Sequence, residues 1–377
     1  MPMLPYLNVP RLPEWAINLG TTLEPPAALR ATGWSVNKKP PARNMNWIHN
    51  VTAAYLRQLL GLSVGQWGNN VSPGGASIYT SLHWHQELKA WAISTYSGTV
   101  YMSLDGRNWY NPPDTTLPSA SAGWQCAHDS RYFLWGLITG DLGYGDGTGT
   151  WLTETTGLGS NCIAVGTKYP ASDKTIIAGF SGNVRISDTG VGGTWYAATG
   201  PAFASPCERM NNITEDVWLC HSYAVGPYLY RSVDDGDTWT DLGPVLLALP
   251  SGIQYVRSYA FDQFTGRLIV SGYNAASGEV RLAYSDDLGD SWDMLDPIPV
   301  TSHTASDLWA CGNGVWIAAV QRSGQGGGIW RSINNGETWD FIHDNTGVRG
   351  LGGSSNKLIL VPGSGTNLQS TLNVLGS

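Results

Sequence analysis

Ser232-Val233-Asp234-Asp235-Gly236-Asp237-Thr238-Trp239 is the stretch that decides how this chain folds, because its pattern returns along the sequence at nearly constant spacing. Ser285-Asp286-Asp287-Leu288-Gly289-Asp290-Ser291-Trp292 and Ser332-Ile333-Asn334-Asn335-Gly336-Glu337-Thr338-Trp339 repeat it, and Ser103-Leu104-Asp105-Gly106-Arg107-Asn108-Trp109 is a copy one residue shorter. Two worn copies keep Asp146, Thr150 and Trp151 in one case and Thr194 and Trp195 in the other. The six tryptophans lie 42, 44, 44, 53 and 47 residues apart. A recurrence of about 45 residues is the length of one four-stranded propeller blade.

The spelling of the pattern follows from turn chemistry. An Asp carboxylate accepts hydrogen bonds from backbone N–H groups a few residues on and closes the turn locally. Gly236, Gly289 and Gly336 supply positive φ, and Thr238, Thr338 or Ser291 adds a hydroxyl. The tryptophan is expected to fold back as a plug between blades. Burying it removes on the order of 150–250 Å² from water, a gross gain of roughly 4–6 kcal/mol. A turn hydrogen bond contributes only about 0.5–1.5 kcal/mol, so the indole dominates, and the indole is what the worn copies keep. Asn334 stands where Asp234 and Asp287 stand. An amide accepts the same hydrogen bonds but exchanges no proton near neutral pH, so these side chains read as structural and not as catalytic acids or metal ligands.

These motifs resemble the Asp-box, S-x-D-x-G-x-T-W, of sialidases, sortilin-type receptors and many secreted or viral propellers. The residues carrying the resemblance are Ser103, Asp105, Trp109, Asp146, Trp151, Trp195, Ser232, Asp234, Gly236, Thr238, Trp239, Ser285, Asp287, Gly289, Trp292, Ser332, Asn334, Gly336, Thr338 and Trp339. It implies an all-β propeller. Third strands are expected at 99–102, 183–186, 228–231, 279–284 and 328–331. After Trp339, three further strands fit at 350–354, 357–362 and 369–375 without a motif. Trp67 lies 42 residues before Trp109, so the segment 65–70 is expected to supply the fourth strand of the last blade and close the ring. That makes seven blades, with six and an appended tail as the alternative.

Composition bounds the partners. The 377 residues carry a net charge of −8 and no Lys/Arg run, which argues against nucleic acid and anionic membranes. No apolar stretch reaches the length of a membrane span. Cys126, Cys162, Cys207, Cys220 and Cys311 show no C-x-x-C spacing and sit in apolar runs, so they read as small hydrophobes, with little support for zinc or redox chemistry, in a protein folded in a reducing cytoplasm. The first residues lack the apolar core of a signal peptide. No cofactor and no metal site is expected.

Residues 1–61 form a separate block ahead of a propeller domain spanning 62–377. Seven prolines in residues 1–40 suit an extended arm. Pro41 opens one helical pattern ending at Gly61, with Met45, Ile48, Thr52, Tyr55, Leu59 and Leu62 on one stripe. This helix either packs on its own propeller or arm or self-associates. Gly33-Trp34-Ser35-Val36-Asn37-Lys38-Lys39-Pro40-Pro41-Ala42-Arg43-Asn44-Met45-Asn46-Trp47 resembles a segment near the start of bacteriophage tail structural proteins. The resemblance implies docking on a virion through Trp34, Pro40, Pro41, Asn46, Trp47, Ile48, Tyr55 and Leu59. The partners expected are other tail or virion proteins and a host-surface glycan or protein.

Chemistry is sparse. The sialidase resemblance would require an arginine cluster, a Tyr–Glu pair and an Asp. Pro10-Arg11-Leu12-Pro13 lies too far ahead of the first blade, and Arg131, Arg209, Arg257, Arg267, Arg322 and Arg349 sit in no matching motif. His83-Trp84-His85 points two imidazoles to one strand face, and a third zinc ligand would have to come from elsewhere. Loop-prone segments at 111–123, 140–149, 171–174, 274–278 and 322–328 suit recognition. The expectation is a non-enzymatic, tail-associated structural protein used for adhesion or tail decoration, with an Asp-box glycosidase as the alternative.

Overall fold

The computed structural model describes residues 67–69 and 79–371, apart from 115, 119–120, 169, 201–202, 223–225, 251, 275–278, 301–302, 323–324, 346–347, 354–357 and 363–368. The docking residues Trp34, Pro40, Pro41, Asn46, Trp47, Ile48, Tyr55 and Leu59, and the helix expected from Pro41, lie outside the described residues.

Strands alternate with tight turns, and consecutive strands pair antiparallel into seven sheets, six of four strands and one of three. In chain order the sheets span Tyr79–Ser103, Ser121–Glu154, Cys162–Ala197, Arg209–Asp241, Tyr255–Leu295, His303–Asn345 and Val348–Thr371. The seventh sheet takes its outer strand from the other end of the chain: Trp67–Asn69 pairs with Gln369–Thr371 in the register Gly68↔Ser370. First strands of neighbouring sheets pack side by side except between the fourth and fifth, where Trp218–His221 lies against Tyr255–Asp262, and the seventh sheet returns to the first. The architecture is an all-β propeller.

The expectation of seven four-stranded blades is corrected to six complete four-stranded blades and one three-stranded sheet. The incomplete sheet is Tyr79–Ser103, whose would-be fourth strand is reduced to the isolated bridges Met102↔Tyr110 and Thr99↔Thr116. Asn111 is followed by Pro112 and Pro113, and proline has no N–H to extend a ladder. The segment 140–149, read as loop, contains the strand Leu142–Gly145, and 322–328 is largely strand within Val315–Arg322 and Gln325–Ser332. Both are Gly-rich, and glycine hides strand character when neighbours supply the packing. Only one helix is described, Gly243–Ala248, a single turn and a half begun by Pro244.

Each of the six tryptophans sits with buried side chains of its own sheet and of the preceding one. Trp239 packs with Ile176 and Ile186 as well as Met210 and Trp218; Trp292 with Leu219 and Leu229 as well as Val270 and Ala283. Trp339, Trp151, Trp195 and Trp109 do the same at their seams. The core is therefore a set of inter-sheet seams, six of them wedged by a motif indole, while the seam between the sixth and seventh sheets holds none of the six.

The turns that carry these indoles are closed internally. Asp234 accepts from Ser232 Oγ (2.8 Å), Thr238 N (2.8 Å) and Thr238 Oγ1 (2.5 Å), while Trp239 Nε1 donates to Gly236 O at 2.9 Å. Asp287 repeats the set with Ser285 and Ser291, and Asn334 accepts from Ser332 Oγ and Thr338 N. Hydrogen bonds led by the Ser291 hydroxyl hold the Asp287 carboxyl down at about 2. Two successive residues take positive φ: Asp235, Leu288 and Asn335 at 59°, 58° and 62°, then Gly236, Gly289 and Gly336 at 95°, 96° and 88°. In the worn copies an acid from the preceding segment anchors the indole: Trp151 Nε1 donates to the Asp114 carbonyl at 2.8 Å and its N–H to the Asp114 carboxylate at 3.3 Å. Trp195 Nε1 donates to Glu154 at 2.6 Å.

The cysteine reading is corrected at one pair. Cys207 and Cys220 form a disulfide, because the pairing Met210↔Cys220 brings the segment before one strand across its neighbour, with Cα atoms 6.1 Å apart. Cys126, Cys162 and Cys311 are free and buried.

Candidate functional site

The seven first strands line the axis of the ring. First and third strands run the same way, so the tryptophan-bearing turns lie where first strands end, and the connections between second and third strands lie where first strands begin. A cluster of polar and aromatic residues occupies this second face, on the fourth and fifth sheets.

Its floor is an ion pair across the axis. Arg209, at the start of Arg209–Asn212, reaches past the fifth sheet to Asp307 on His303–Gly312. The Asp307 carboxylate accepts from both Arg209 terminal nitrogens, from Ser258 Oγ (2.7 Å), from its neighbour Leu308 N (2.8 Å) and from Leu351 N (2.8 Å). Asp307 is 3% exposed. Burial opposes charge on Arg209, and the Asp307 carboxylate more than offsets it, holding the guanidinium above its ordinary range. A second crossing lies alongside. Gln125 accepts from Met210 N and donates to Met210 O (2.7 Å) and Asn211 Oδ1 (2.9 Å), and Asn211 donates to Tyr259 Oη (3.1 Å). Together the two crossings stitch five of the sheets across the axis.

Above this floor the chemistry is less committed. The Tyr255 and Tyr273 rings stack at 4.5 Å and 8° on paired strands. Arg257 is the extra residue of a β-bulge between Val256 and Ser258, an irregularity that re-aims a side chain. Its guanidinium lies 5.1 Å from the Tyr273 ring centre and donates to the phenol oxygen at 3.2 Å. Glu208 precedes Arg209 and feels Arg257. Burial pushes its carboxyl up to about 7 while the guanidinium pulls the other way. His221, paired with Arg209 in the ladder, is held down to about 3 by burial and then by Arg209. It meets Tyr259 edge-on at 5.6 Å, and its Nδ1 has no partner.

The sequence candidates distribute as follows. Arg209 and Arg257 lie on the first strands of the fourth and fifth sheets. Arg131 and Arg267 serve turns elsewhere, Arg131 reaching the Val191 carbonyl and Arg267 pairing with Asp286. His83 and His85 gain a third neighbour in His128: His83 Nε2 and His128 Nδ1 lie 2.6 Å apart, and the His85 and His128 rings are 4.6 Å apart. Burial first, then His128, holds His85 down to about 3; burial holds His128 down to about 4 despite Glu87. Among the described residues no group of His, Cys, Asp and Glu has the arrangement of a metal site. The turn residues Ser103, Asp105, Ser232, Asp234, Ser285, Asp287, Ser332 and Asn334 bond within their own turns. Glu208, Asp307, Tyr255 and Tyr273 belong to no motif. The recoverable signal was separation: Gln125–Met210, Ser258–Asp307, Arg209–Asp307 and His83–His128 are 85, 49, 98 and 45 residues apart, close to whole multiples of the blade period.

No family model matches the chain, and no curated protein matches it. Solved structures do. YCF48 from Cyanidioschyzon merolae superposes with a TM-score of 0.62 at 14% identity, covering 81% of this chain and 98% of that one. The WD40 repeats of RRP9 give 0.58 at 10%, covering 82% and 100%. A computationally designed protein, Ika8, gives 0.52 at 13%, covering 81% and 100%. At such identities the likeness is one of fold, and the fold is the β-propeller.

Proposed function

We propose that this protein is a non-enzymatic recognition module: a propeller that presents the face bearing Glu208, Tyr255, Arg257 and Tyr273 to a surface ligand. The observation that carries this reading is the difference in commitment between its carboxylates. Asp307 and the turn aspartates are occupied by internal donors, whereas Glu208 and the half-buried tyrosines stand at the open face. Hydrolysis of a glycosidic bond needs two carboxyl groups in defined separation, and Asp307 on the neighbouring wall has its acceptor positions filled. The three-stranded sheet counts here as a seventh blade, and the Ser–Asp turns as Asp-boxes.

The virion assignment rests on the resemblance of residues 33–47 to phage tail proteins. In it, residues 1–61 dock the propeller on tail proteins, in particles assembled in the host cytoplasm, and the open face meets a host-surface glycan or protein. Co-sedimentation with tail particles tests this, comparing the full chain with one beginning at Gly61. Loss of association in the shortened chain is expected; equal behaviour of the two contradicts the docking role.

One observation favours a glycosidase instead: a carboxyl near 7 beside a guanidinium suits a general acid. Fluorogenic sialosides and mixed glycans decide between them. Sustained turnover abolished by Glu208→Gln would establish the enzyme; no turnover is expected.

A further inference from the structure

The turn ends of neighbouring sheets are not joined alike. Between the second and third sheets, the Asp173 carboxylate accepts from Ser130 N and Ser130 Oγ, both at 2.9 Å. Between the third and fourth, Lys168 and Lys174 reach Asp235 at 3.0 and 3.1 Å. Arg231 of the fourth sheet donates to the Leu288 carbonyl (2.9 Å) and to Asp290 (2.7 Å) of the fifth. Arg267 of the fifth donates to the Asn335 carbonyl of the sixth at 3.1 Å. These joints use carboxylates, ammonium groups and guanidinium groups, which keep their charge from pH 8 down to about pH 5. Where the first and second sheets meet, three imidazoles stand instead: His83 and His85 at the end of Tyr79–His85, and His128 at the end of Ser121–His128.

The bonds of these rings need neutral imidazole. His83 Nε2 and His128 Nδ1 are 2.6 Å apart, so one carries the shared hydrogen and the other accepts it. A second proton on this pair sets two donors against each other. His85 Nδ1 accepts the Leu88 N–H at 3.3 Å, and an imidazolium has no acceptor to offer. His85 is buried, meets Phe133 edge-on at 5.0 Å, and its Nε2 has no partner among the described residues. The same seam holds the bond from Trp135 Nε1 to Ser81 Oγ and the Trp151 indole anchored on Asp114. Of the ionisable groups nearby, Glu87 favours the His128 proton more weakly than burial opposes it. Asp129 Oδ1 accepts from Arg131 N and Tyr132 N, and burial raises this carboxyl, so acid costs the fold nothing there. Lys89 is exposed, Cys126 and Cys162 are buried thiols, and Arg209 is paired with Asp307. The packed strands Ala90–Thr95, Phe133–Leu137 and Leu358–Pro362 carry no ionisable side chain, and the Arg349 side chain on Val348–Gly353 lies outside the described residues.

We infer that the seam between the first and second sheets is an acid-sensitive joint: protonation of His83, His85 and His128 opens it while the charged joints from the second sheet to the sixth stay closed. The sign follows from burial, which holds all three rings below their ordinary value of about 6.5. Their contribution is therefore present above that pH and falls as pH drops towards 4. At pH 5, each imidazole released to water favours the open seam by roughly thirtyfold. The joint is independent of the recognition reading above, since it lies at the turn end of the ring.

Hydrogen exchange of the full chain tests this, read by mass spectrometry at pH 7.5 and pH 5.0 and scaled to intrinsic rates. Peptides from 79–95 and 121–137 are expected to exchange at least about tenfold faster at pH 5.0, and to recover on return to pH 7.5. Peptides from 255–285 and 303–332 are expected to change by less than about twofold. His128→Asn places an amide near the Nδ1 position and takes no proton, so it should cut the acid response by at least about tenfold. If that variant does not fold, His83→Gln, whose amide imitates Nε2, is read in its place. The inference is overturned if both sets of peptides respond alike, if neither responds, or if the folded variant keeps the full acid response.

Discussion

The two ends of each sheet obey different rules. At the turn end, Ser, Asp, Gly and Trp recur blade after blade, and each side chain is occupied inside its own turn or seam. At the opposite end, Glu208, Arg257, Tyr255 and Tyr273 occur once and come from two sheets. Repetition therefore marks what holds the ring together, and the departures from repetition mark where it meets something else.

The comparison breaks most readily at a seam. Trp292→Ala should lower unfolding free energy by about 3–5 kcal/mol in a denaturant titration, because the indole fills space between the fourth and fifth sheets. A loss below about 1 kcal/mol would mean that the indoles are not the wedges. Asp307→Ala is expected to cost a similar amount, about 3–5 kcal/mol, since it strands the Arg209 guanidinium and the Leu351 N–H. The double variant with Arg209→Met should recover part of that loss, measured in the same titration.

The turns sharpen the contrast at smaller scale. Asp234→Ala should cost about 1 kcal/mol, the net value of its turn hydrogen bonds, whereas Asp234→Asn should be close to neutral because Asn334 already performs the same closure. A large loss in the Asn variant would assign the charge a role that geometry does not.

Acid provides a further test with opposite signs at the two ends. His83, His85 and His128 have folded values below the unfolded one, so their contribution is present above about pH 6.5 and falls as pH drops towards 4 and 3. Glu208 has a raised value, so its contribution is present below about pH 4.5 and is lost as pH rises through about 7. Thermal midpoints followed from pH 4 to 8 combine these opposed terms; His128→Gln should reduce the gain on leaving acid, and Glu208→Gln should raise the midpoint over the parent's towards pH 7 and 8.

Much of the fold was legible because spacing and turn chemistry agree. The tryptophan interval gave the sheets, and Trp67 gave the closing strand. Less was legible within the turn itself. The positive φ at Asp235 and Asn335 suits residue types that tolerate it, but Leu288 does not advertise it. The structure shows the compensation: Trp218 Nε1 donates to Asp235 and Trp316 Nε1 to Asn335, and where Leu288 stands the partner strand carries Leu268 in place of tryptophan. The incomplete first sheet was written in Pro112 and Pro113. The open face was not legible as a motif, because its members are joined only by the ring closing in space. Two of its supports, the Cys207–Cys220 bond and the Arg257 bulge, depend on register, which no local pattern sets.

The division of labour between the two ends is tested most directly by measuring thermal midpoint and host-surface binding side by side in Trp292→Ala and Glu208→Ala. The account predicts a large fall in midpoint with binding kept below the transition for the first. For the second it predicts a midpoint at pH 7 at or above the parent's, with binding weakened about tenfold. A Glu208→Ala protein that unfolds early yet binds normally, or a Trp292→Ala protein as stable as the parent, would contradict it.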